Sequence, residues 1–348
     1  MQTLLATDVS PMKIGRQGFE VFFSEHFRRA TKVSLITGYV SEEGLADLIL
    51  LASQHPGLEE FELFVGMAKF DGISGAQLRA LNQLNNSFRE GKIGGVYVPT
   101  ALPVHAKISR FTGEGADGLD RVAIIGSSNL SALDPDLRQW NAEIATDDAD
   151  VLAGINASLE QLRKISQPLD STNLKIKIIQ RPEVLLQDQE GVETTRLRAF
   201  GEPTATWQLP LKCTEKSNLN VYFGKGRSKG RLQRTWYEVE IIPGESITKT
   251  PGYPSREMGA FQVITDDGWA FDCKVSGGPN GNKNFRSARN LQTLGKWIKG
   301  RLELDGLLTP GEKVTEEILS KYGRSSLTLS YFASENLWTL DFSKGAEA

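Results

Sequence analysis

Three short segments between residues 104 and 144 concentrate the side chains that could do chemistry. The first contains His105 and Lys107, the second Ser127 and Asn129, and the third Glu143. A histidine beside a lysine, a hydroxyl and an amide suits a phosphodiester substrate. The imidazole can attack phosphorus or move protons, while the ammonium and amide groups hold the phosphoryl oxygens. We therefore expect His105, Lys107, Ser127 and Asn129 to form a catalytic site.

Strands must position these side chains, because each segment lies in a short apolar run of β character. His105 and Lys107 are two residues apart, and this spacing predicts that both side chains lie on one face of a strand. Ser127 and Asn129 repeat that spacing, and Glu143 follows on the next predicted strand.

Each motif alone also fits a structural role. Lys107 could be a solvated strand residue, and Asn129 could cap a helix that begins at Leu130. The two motifs together, each on a β-type run and followed by Asn141-x-Glu143, favour the catalytic interpretation.

The same residues resemble a known signature. His105-Ala106-Lys107 followed by Gly126-Ser127-Ser128-Asn129 resembles the H-x-K…G-S-x-N motif of the phospholipase D superfamily, present here once. More narrowly, the chain resembles the phospholipase D-type restriction endonucleases of the BfiI and NgoFVII group. In that group a single-motif nuclease domain precedes a DNA-recognition domain of the plant B-three pseudobarrel type. Glu143 matches the glutamate that these nucleases carry after the G-S-x-N element.

The chain departs from the superfamily pattern at one position. The superfamily often has an aspartate a few residues after the lysine, whereas residues 108–112 contain no acid. The next acids, Glu114 and Asp117, lie in a predicted loop at 113–118. The role of that aspartate is therefore either empty or filled by Glu143.

Composition predicts a globular protein of two domains. The chain has 348 residues, of which 39% are hydrophobic and 24% charged. No apolar run approaches the length of a membrane span, and the N-terminus lacks the features of a signal peptide, so we expect a cytoplasmic location. Cys213 and Cys273 are too few for a disulfide scaffold and resemble no zinc site, so we expect no metal ion and no other cofactor.

The first half alternates helices with strands, which predicts an α/β layered domain. The predicted helices cover residues 18–30, 41–51 (capped by Ser41), 74–90 and 147–165 (capped by Asp147 or Asp148), and the predicted strands 32–39, 61–66 and 94–99. Strand ends near Tyr39 and Gly66 are expected at the site. Residues 166–173 have the Pro, Ser and Asn content of a linker. We place the phospholipase D-like nuclease domain at 1–168 and a linker region at 169–196.

The remainder, 197–348, has short apolar runs between turns rich in Gly, Pro and Asn. This pattern predicts a mostly β domain, a barrel or sandwich, and the resemblance implies the B-three-like pseudobarrel. The predicted strands cover residues 236–242, 260–265, 269–275, 327–332 and 338–342, and the predicted helices 291–302 and 315–321.

Two basic tracts in this second half, 216–237 and 274–301, contain no acid. The net charge of −3 does not by itself indicate a nucleic-acid-binding protein, so that prediction depends on these tracts. Their Gly, Asn and Ser content predicts loops around a β core, which could straddle a phosphate backbone and place Arg and Asn against base edges. The alternative is that they are unrelated surface loops. The residues expected to bind DNA are Lys212, Lys216, Lys225, Arg227, Lys229, Arg231, Arg234, Asn282, Lys283, Asn284, Arg286 and Arg289.

Two further motifs fail on spacing. The glycine-rich stretch at 224–230 does not have the P-loop pattern, so this chain carries no evident ATPase. Asp272-x-Lys274 lacks the preceding acid of a metal-dependent nuclease at a suitable distance, since Asp266 and Asp267 are too close before it.

These observations predict a site-specific double-stranded DNA endonuclease, a type II restriction enzyme. In the mechanism that the resemblance implies, His105 forms a covalent phosphohistidine that water hydrolyses without a metal ion. Lys107 and Asn129 bind the non-bridging oxygens, and Ser127 is a lesser ligand or orients its neighbours. Glu143 fixes the imidazole tautomer or orients Lys107.

One motif supplies one histidine, whereas in-line phosphoryl transfer needs a second group to protonate the leaving oxygen. We therefore expect a homodimer with the site on its two-fold axis. Some relatives work with a separate helicase-like ATPase subunit, a further possible partner. Two other functions stay open: a lipid or polynucleotide-end phosphodiesterase, and a catalytically idle DNA-binding subunit.

Overall fold

The computed structural model describes residues 2–9, 11–115, 118–133, 139–179, 186, 189, 191–195, 201–214, 218–223, 234–278 and 283–345, without the side chains of 114, 115 and 118–120. The chain divides into two compact units. The first comprises Met1–Gln180 and Thr309–Gly311, and the second Arg181–Leu308 and Glu312–Ala348. No helix in the described part of the chain is long and apolar enough to cross a membrane.

The first unit alternates strands with helices, as its sequence predicts. Its described strands are β1 (Gln2–Ala6), β2 (Ala30–Thr37), β3 (Glu60–Val65), β4 (Ile73–Ser74), β5 (Gly94–Pro99), β6 (Ile108–Gly115), β7 (Gly118–Gly126), β8 (Ala142–Thr146), β9 (Ser166–Pro168) and β10 (Ile178–Ile179). Its described helices are α1 (Phe19–Phe27), α2 (Glu42–Ser53), α3 (Gly75–Glu90) and α4 (Ala149–Ile165), with a 3-10 turn at Leu130–Leu133.

The strands form a mixed sheet in the order β1-β8-β7-β6-β2-β3-β5-β9. The central pairs β2–β3 and β3–β5 are parallel, and the others are antiparallel. Adjacent residues of β3 point to opposite faces. Leu63 joins the apolar cluster formed with α1, α2 and α3, whereas Phe64 joins the cluster formed with α4. Helices therefore cover both faces of the sheet, and the predicted α/β layering is confirmed.

Side-chain caps begin three of these helices. Ser41 Oγ accepts from the backbone of Gly44, and Ser74 forms a reciprocal capping box with Gln77. Asp148 accepts from the first turn of α4. Each cap satisfies backbone N–H groups that have no partner within the helix.

The segment at 166–173, predicted to be a linker, instead belongs to the first unit. Ser166–Pro168 pair with β5 at the edge of the sheet, and Leu169 is buried in the core. Farther along, Ile178 pairs with Ile73. Pro168 is compatible with an edge strand because no further strand needs its missing N–H. Composition was therefore misleading at this position.

The second unit is mostly β, as predicted. Its described strands are β11 (Val192–Thr194), β12 (Ala205–Pro210), β13 (Phe261–Thr265), β14 (Trp269–Ser276), β15 (Asn284–Ser287), β16 (Ser326–Phe332) and β17 (Leu337–Asp341). They follow the order β11-β14-β13-β17-β16-β12, with β15 also paired to β14. The described helices are α5 (Glu245–Thr248), α6 (Thr293–Leu304) and α7 (Glu316–Tyr322), with 3-10 turns at Val221–Phe223 and Arg256–Met258.

One predicted strand of this unit, at 236–242, is wrong. The segment makes a turn and two isolated bridges, Asn218 to Glu240 and Ile241 to Phe285. Its apolar side chains are nevertheless buried, Trp236 at 1% exposure and Tyr237 at 0%. The apolar run therefore marks a core segment rather than a ladder, a distinction that periodicity alone does not make.

Candidate active site and DNA-binding surface

The predicted catalytic residues come together at one end of the first unit's sheet. Lys107 immediately precedes β6, Ser127 immediately follows β7, and Glu143 is the second residue of β8. Pairing of β7 with β6 and β8 brings the three chain positions side by side. The sequence prediction that these segments meet through strands is confirmed.

His105 and Lys107 do not share a strand face, however, because β6 begins only at Ile108. The backbone before it follows β3 instead: Val104 N donates to Gly66 O at 3.3 Å. A Cβ on Gly66 would lie 1.8 Å from Val104 O, so this approach requires glycine. The expectation of a site near Gly66 holds because the end of β3 supports the histidine segment.

The histidine and the lysine are in direct contact. Lys107 Nζ lies 3.0 Å from His105 Nδ1 and 3.2 Å from Nε2, and it donates to His105 O at 2.8 Å. Burial lowers the pKa of the Lys107 ammonium. The imidazole is exposed, and the Tyr39 ring meets it edge-on with centroids 5.5 Å apart. A substrate phosphate can therefore reach the imidazole and the ammonium together.

Asn129 is held with its amide nitrogen free for a ligand. Its Oδ1 accepts from Tyr39 N at 3.2 Å, and Thr37 Oγ1 lies 3.3 Å away. The orientation follows from chemistry, since a backbone N–H can only donate and must therefore face the oxygen. Among the described residues no partner engages Nδ2, which leaves two N–H groups to donate to a phosphoryl oxygen. Asn129 is not the side-chain cap of a helix.

Ser127 and Ser128 anchor this turn to β8 and the residue before it. Ala142 N donates to Ser127 Oγ at 3.1 Å, and Ser127 Oγ lies 3.2 Å from Asn141 Oδ1. Ser128 Oγ donates to Glu143 Oε1. The N-x-E element therefore holds two consecutive serines, which fixes the turn that carries Asn129.

Glu143 is only 2% exposed, and no described residue hydrogen-bonds to its Oε2. Burial raises the pKa of its carboxyl group, against the opposing effect of hydrogen bonds from Ser128 and Ser127. The described side-chain contacts of Glu143 are with Ser128 and Ser127, and none is with His105 or Lys107. Any effect on those two residues passes through the serine turn.

The acidic loop predicted at 113–118 is remote from these residues. Gly115 pairs with Gly118 at one end of the β6–β7 hairpin, and Ile108 pairs with Ile125 at the other. The two ends are roughly 23 Å apart, at about 3.3 Å per residue. Residues 116–117 and the side chain of Glu114 lie outside the described residues. The prediction that the missing aspartate's role is either empty or filled by Glu143 therefore stands.

Three residues at the end of β2 contribute to the site and were not named individually by the motif. Thr37 and Tyr39 hold Asn129, and Gly38 lies beneath His105. The available signal was the predicted strand end near Tyr39. Nothing in the Thr37-Gly38-Tyr39 triplet itself indicates a catalytic role, because its partners are far away in the chain.

Half of the predicted DNA-binding residues can be located. Lys216, Lys225, Arg227, Lys229, Arg231 and Asn282 lie outside the described residues. The described ones are Lys212, Arg234, Lys283, Asn284, Arg286 and Arg289. Lys212 Nζ donates to Ile242 O at 2.7 Å, and Lys283 is exposed beside the turn that ends β14.

The described arginines are paired with acids. Arg234 and Arg286 both approach Glu240, and Arg289 Nε lies 3.2 Å from Asp272 Oδ2. The first tract, 216–237, is followed directly by an acid, Glu238. A tract free of acids along the chain is therefore not free of them in space.

The second tract is also not a loop throughout, which corrects the sequence prediction. Lys274 lies on β14 and Arg286 on β15, while α6 carries Lys296, Lys299 and Arg301. Lys296 and Lys299 are buried, and Arg301 pairs with Asp266 at 2.7 Å. The three α6 cations are therefore structural. Among the described residues no three His, Cys, Asp or Glu side chains are grouped as a metal site would need.

Comparison with known families agrees with both halves. Residues 19–175 match the model of the NgoFVII restriction endonuclease N-terminal PLD domain, and residues 198–333 match that of the NgoFVII C-terminal B3-like DNA-binding domain. No curated protein matches the sequence.

Several solved structures are similar to about half of the chain. Nuc of Salmonella typhimurium, a phospholipase D family member, shares 13% identity at a TM-score of 0.35, over 48% of this chain and 97% of its own. NucT of Helicobacter pylori shares 11% sequence identity at a TM-score of 0.31, over 48% of this chain and 98% of its own. Polyphosphate kinase of Porphyromonas gingivalis shares 14% sequence identity at a TM-score of 0.34, over 51% of this chain and 27% of its own.

The two domain matches lie in the predicted order and together span most of the chain. The chain therefore belongs to the NgoFVII family of phospholipase D-type restriction endonucleases, with an N-terminal PLD domain and a C-terminal B3-like DNA-binding domain.

Proposed function

We propose that this chain is a type II restriction endonuclease that cuts double-stranded DNA at specific sites through a covalent phosphohistidine, without a metal ion. The observation that supports this most is the grouping of donors around one exposed imidazole. Lys107 Nζ touches the His105 ring, and the free amide nitrogen of Asn129 belongs to the same turn as Ser127.

In the proposed reaction a nitrogen of His105 attacks phosphorus, and the P–O bond to the leaving strand breaks. Lys107 and Asn129 donate to the non-bridging oxygens and stabilise the charge that a divalent cation would otherwise offset. Water then attacks the phosphohistidine, which releases the 5′ or 3′ phosphate and restores the imidazole. Ser127 orients the turn and is a lesser ligand, and Glu143 supports it through Ser128.

A second imidazole has to protonate the leaving oxygen, and this chain has three histidines. His26 stacks on Phe22, and His55 Nε2 lies 2.6 Å from Ala30 O. Ala30 starts β2, and the catalytic end of β2 is roughly 23 Å away at about 3.3 Å per residue. Neither histidine can serve His105 within one chain, which supports a homodimer with a shared site.

Cleavage in a chelator tests this function. Purified protein should cut a sequenced plasmid into discrete fragments in EDTA, and His105→Ala should abolish cleavage while leaving DNA binding nearly intact. His26→Ala is the matched control and should still cut, since His26 packs against Phe22 away from the site.

The outcomes separate the alternatives. Specific binding with no cleavage by the wild-type protein would indicate an idle DNA-binding subunit, and unspecific trimming of ends would indicate an end-acting phosphodiesterase. Cleavage by His105→Ala would show that the nucleophile is another group.

A further inference from the structure

Glu240 lies close to residues from both basic tracts of the second unit, 216–237 and 274–301. Its Oε1 lies 3.9 Å from Arg286 Nη1 and 4.0 Å from Arg234 Nη1, whose closer partner is Glu238 Oε1 at 3.4 Å. Its Oε2 accepts from Asn284 Nδ2 at 3.3 Å. Arg234 belongs to the first basic tract, and Asn284 and Arg286 belong to the second. One carboxylate therefore contacts predicted DNA-binding residues from both tracts.

The backbone holds Glu240 firmly beside β15. The next residue, Ile241, exchanges two hydrogen bonds with Phe285, at 2.9 and 2.8 Å. Phe285 lies between Asn284 and Arg286 and is fully buried. The Glu240 side chain is 17% exposed, and those of Arg234 and Arg286 are 25% and 23% exposed. The cluster is thus a partly buried, pre-formed arrangement rather than a transient surface pairing.

The cluster is not satisfied by the protein alone. Among the described residues, the buried donor Arg286 Nε and the buried acceptor Asn284 Oδ1 find no hydrogen-bond partner. The two residues are two apart on β15, so they share one face of the strand. Buried polar atoms are usually hydrogen-bonded, so these two atoms can take a partner that the described chain does not supply. A donor beside an acceptor matches the edge of a base, whereas a phosphate offers only acceptors.

We infer that Glu240 is a specificity-determining residue: it positions Arg286, and together with Glu238 it positions Arg234, for contacts with base edges in the major groove. This inference rests on the proposed DNA recognition by the second unit. An untethered arginine binds any phosphate and adds sequence-independent affinity. A carboxylate on one side of the guanidinium fixes its plane, leaves its other edge for a base and repels the phosphate backbone.

Glu240→Gln in the full-length protein tests this. A duplex library with a randomised central segment is enriched on the His105→Ala protein, which binds without cutting and serves as the wild type in this comparison. The enriched duplex is then titrated against a scrambled duplex of the same composition, with every variant made in the same background. We expect Glu240→Gln to bind the scrambled duplex more tightly and to lower the specific-to-scrambled affinity ratio at least tenfold. Its scrambled binding should also depend more steeply on salt.

Two further variants separate positioning from charge. Glu245→Gln removes the same charge from an exposed pair with Lys249 and should leave the ratio unchanged. Glu240→Asp keeps the charge but withdraws the carboxylate, so it should weaken specific binding without strengthening scrambled binding. An unchanged ratio in Glu240→Gln, or an equal loss in Glu245→Gln, would overturn the inference. No enrichment by the His105→Ala protein would overturn the proposed DNA recognition, and the inference with it.

Discussion

Gly38 lies directly beneath His105: a methyl group on Gly38 would stand 3.0 Å from Cδ2 of the imidazole. The same methyl would lie 3.5 Å from Asn129 Oδ1. Gly38 therefore lets two residues of the proposed site approach the end of β2. A larger side chain at this position would meet both of them.

Gly38→Ala should lower the rate of DNA cleavage without unfolding the protein. The imidazole would have to move by a few tenths of an ångström, and small misplacements of reacting groups can reduce rates by about 10- to 100-fold. Single-turnover cleavage measures the effect. Gly154→Ala on the exposed face of α4 is the control, because a methyl group there meets nothing within 4 Å. An equally active Gly38→Ala protein would show that this approach is not needed for catalysis.

Glu143→Gln should stabilise the first unit at pH 7. Burial raises the pKa of Glu143, so the folded state favours the neutral carboxyl group. The stability that this proton contributes is complete below the unfolded pKa and is lost as pH rises through the folded value. The neutral amide avoids that loss, so its advantage should shrink on acidification from pH 7 to pH 4.

Urea unfolding, followed by circular dichroism of the helices, measures the free energy of unfolding of the wild type and of Glu143→Gln at the two pH values. The first unit carries most of the described helix and dominates that signal. An advantage for Glu143→Gln that is equal at both pH values, or absent, would contradict the buried-carboxylate explanation. Lower cleavage activity in the stabilised variant would fit a role of Glu143 at the site.

The shared site predicts that a His105→Ala subunit inactivates the wild-type subunit with which it forms a dimer. Light scattering should give twice the monomer mass of 38.3 kDa. When the wild-type and His105→Ala chains are co-expressed in equal amounts, about a quarter of the dimers carry His105 in both subunits. Cleavage by the mixture should therefore fall to that fraction rather than to half. A monomer that cuts DNA, or activity that falls only in proportion, would rule out the shared site.

The burial of Lys299 predicts that the stability of the second unit depends on pH. Its side chain is fully buried, its Nζ donates to Trp236 O, and burial lowers its pKa to about 7, with Glu303 opposing. An unfolded lysine keeps its proton up to a pH of about 10.4. The unfolded chain thus binds more protons between these values, and stability should rise with pH by up to about 1.4 kcal/mol per unit.

Lys299→Met should lose this rise, because methionine carries no proton to release. Urea unfolding at pH 7 and pH 9 compares the two proteins by tryptophan fluorescence, which reports the second unit because five of the six tryptophans follow residue 200. Exposed Lys249→Met is the control and should follow the wild type. Parallel stabilities for Lys299→Met and wild type would show that Lys299 is charged inside the folded protein.

Local patterns in the sequence determined the elements and the motif. Helical and strand periodicity involve neighbours a few residues apart, so the α/β layering and most strands of the second unit could be predicted. The caps at Ser41 and Asp148 are equally local. The motif indicated His105 and Asn129 as candidate site residues, through its resemblance to the phospholipase D signature and the suitability of these residue types for a phosphodiester.

Only the tertiary structure decided how those residues are held and paired. Asn129 is oriented by Thr37, 92 residues away, and Arg234 and Arg286 share Glu240 across separate segments. The strand predicted at 236–242 proved to be a buried irregular segment for the same reason. Hydrogen bonds and charges act through space, whereas composition and periodicity are read along the chain. Contacts between distant segments therefore appear only after the sheet has brought them together.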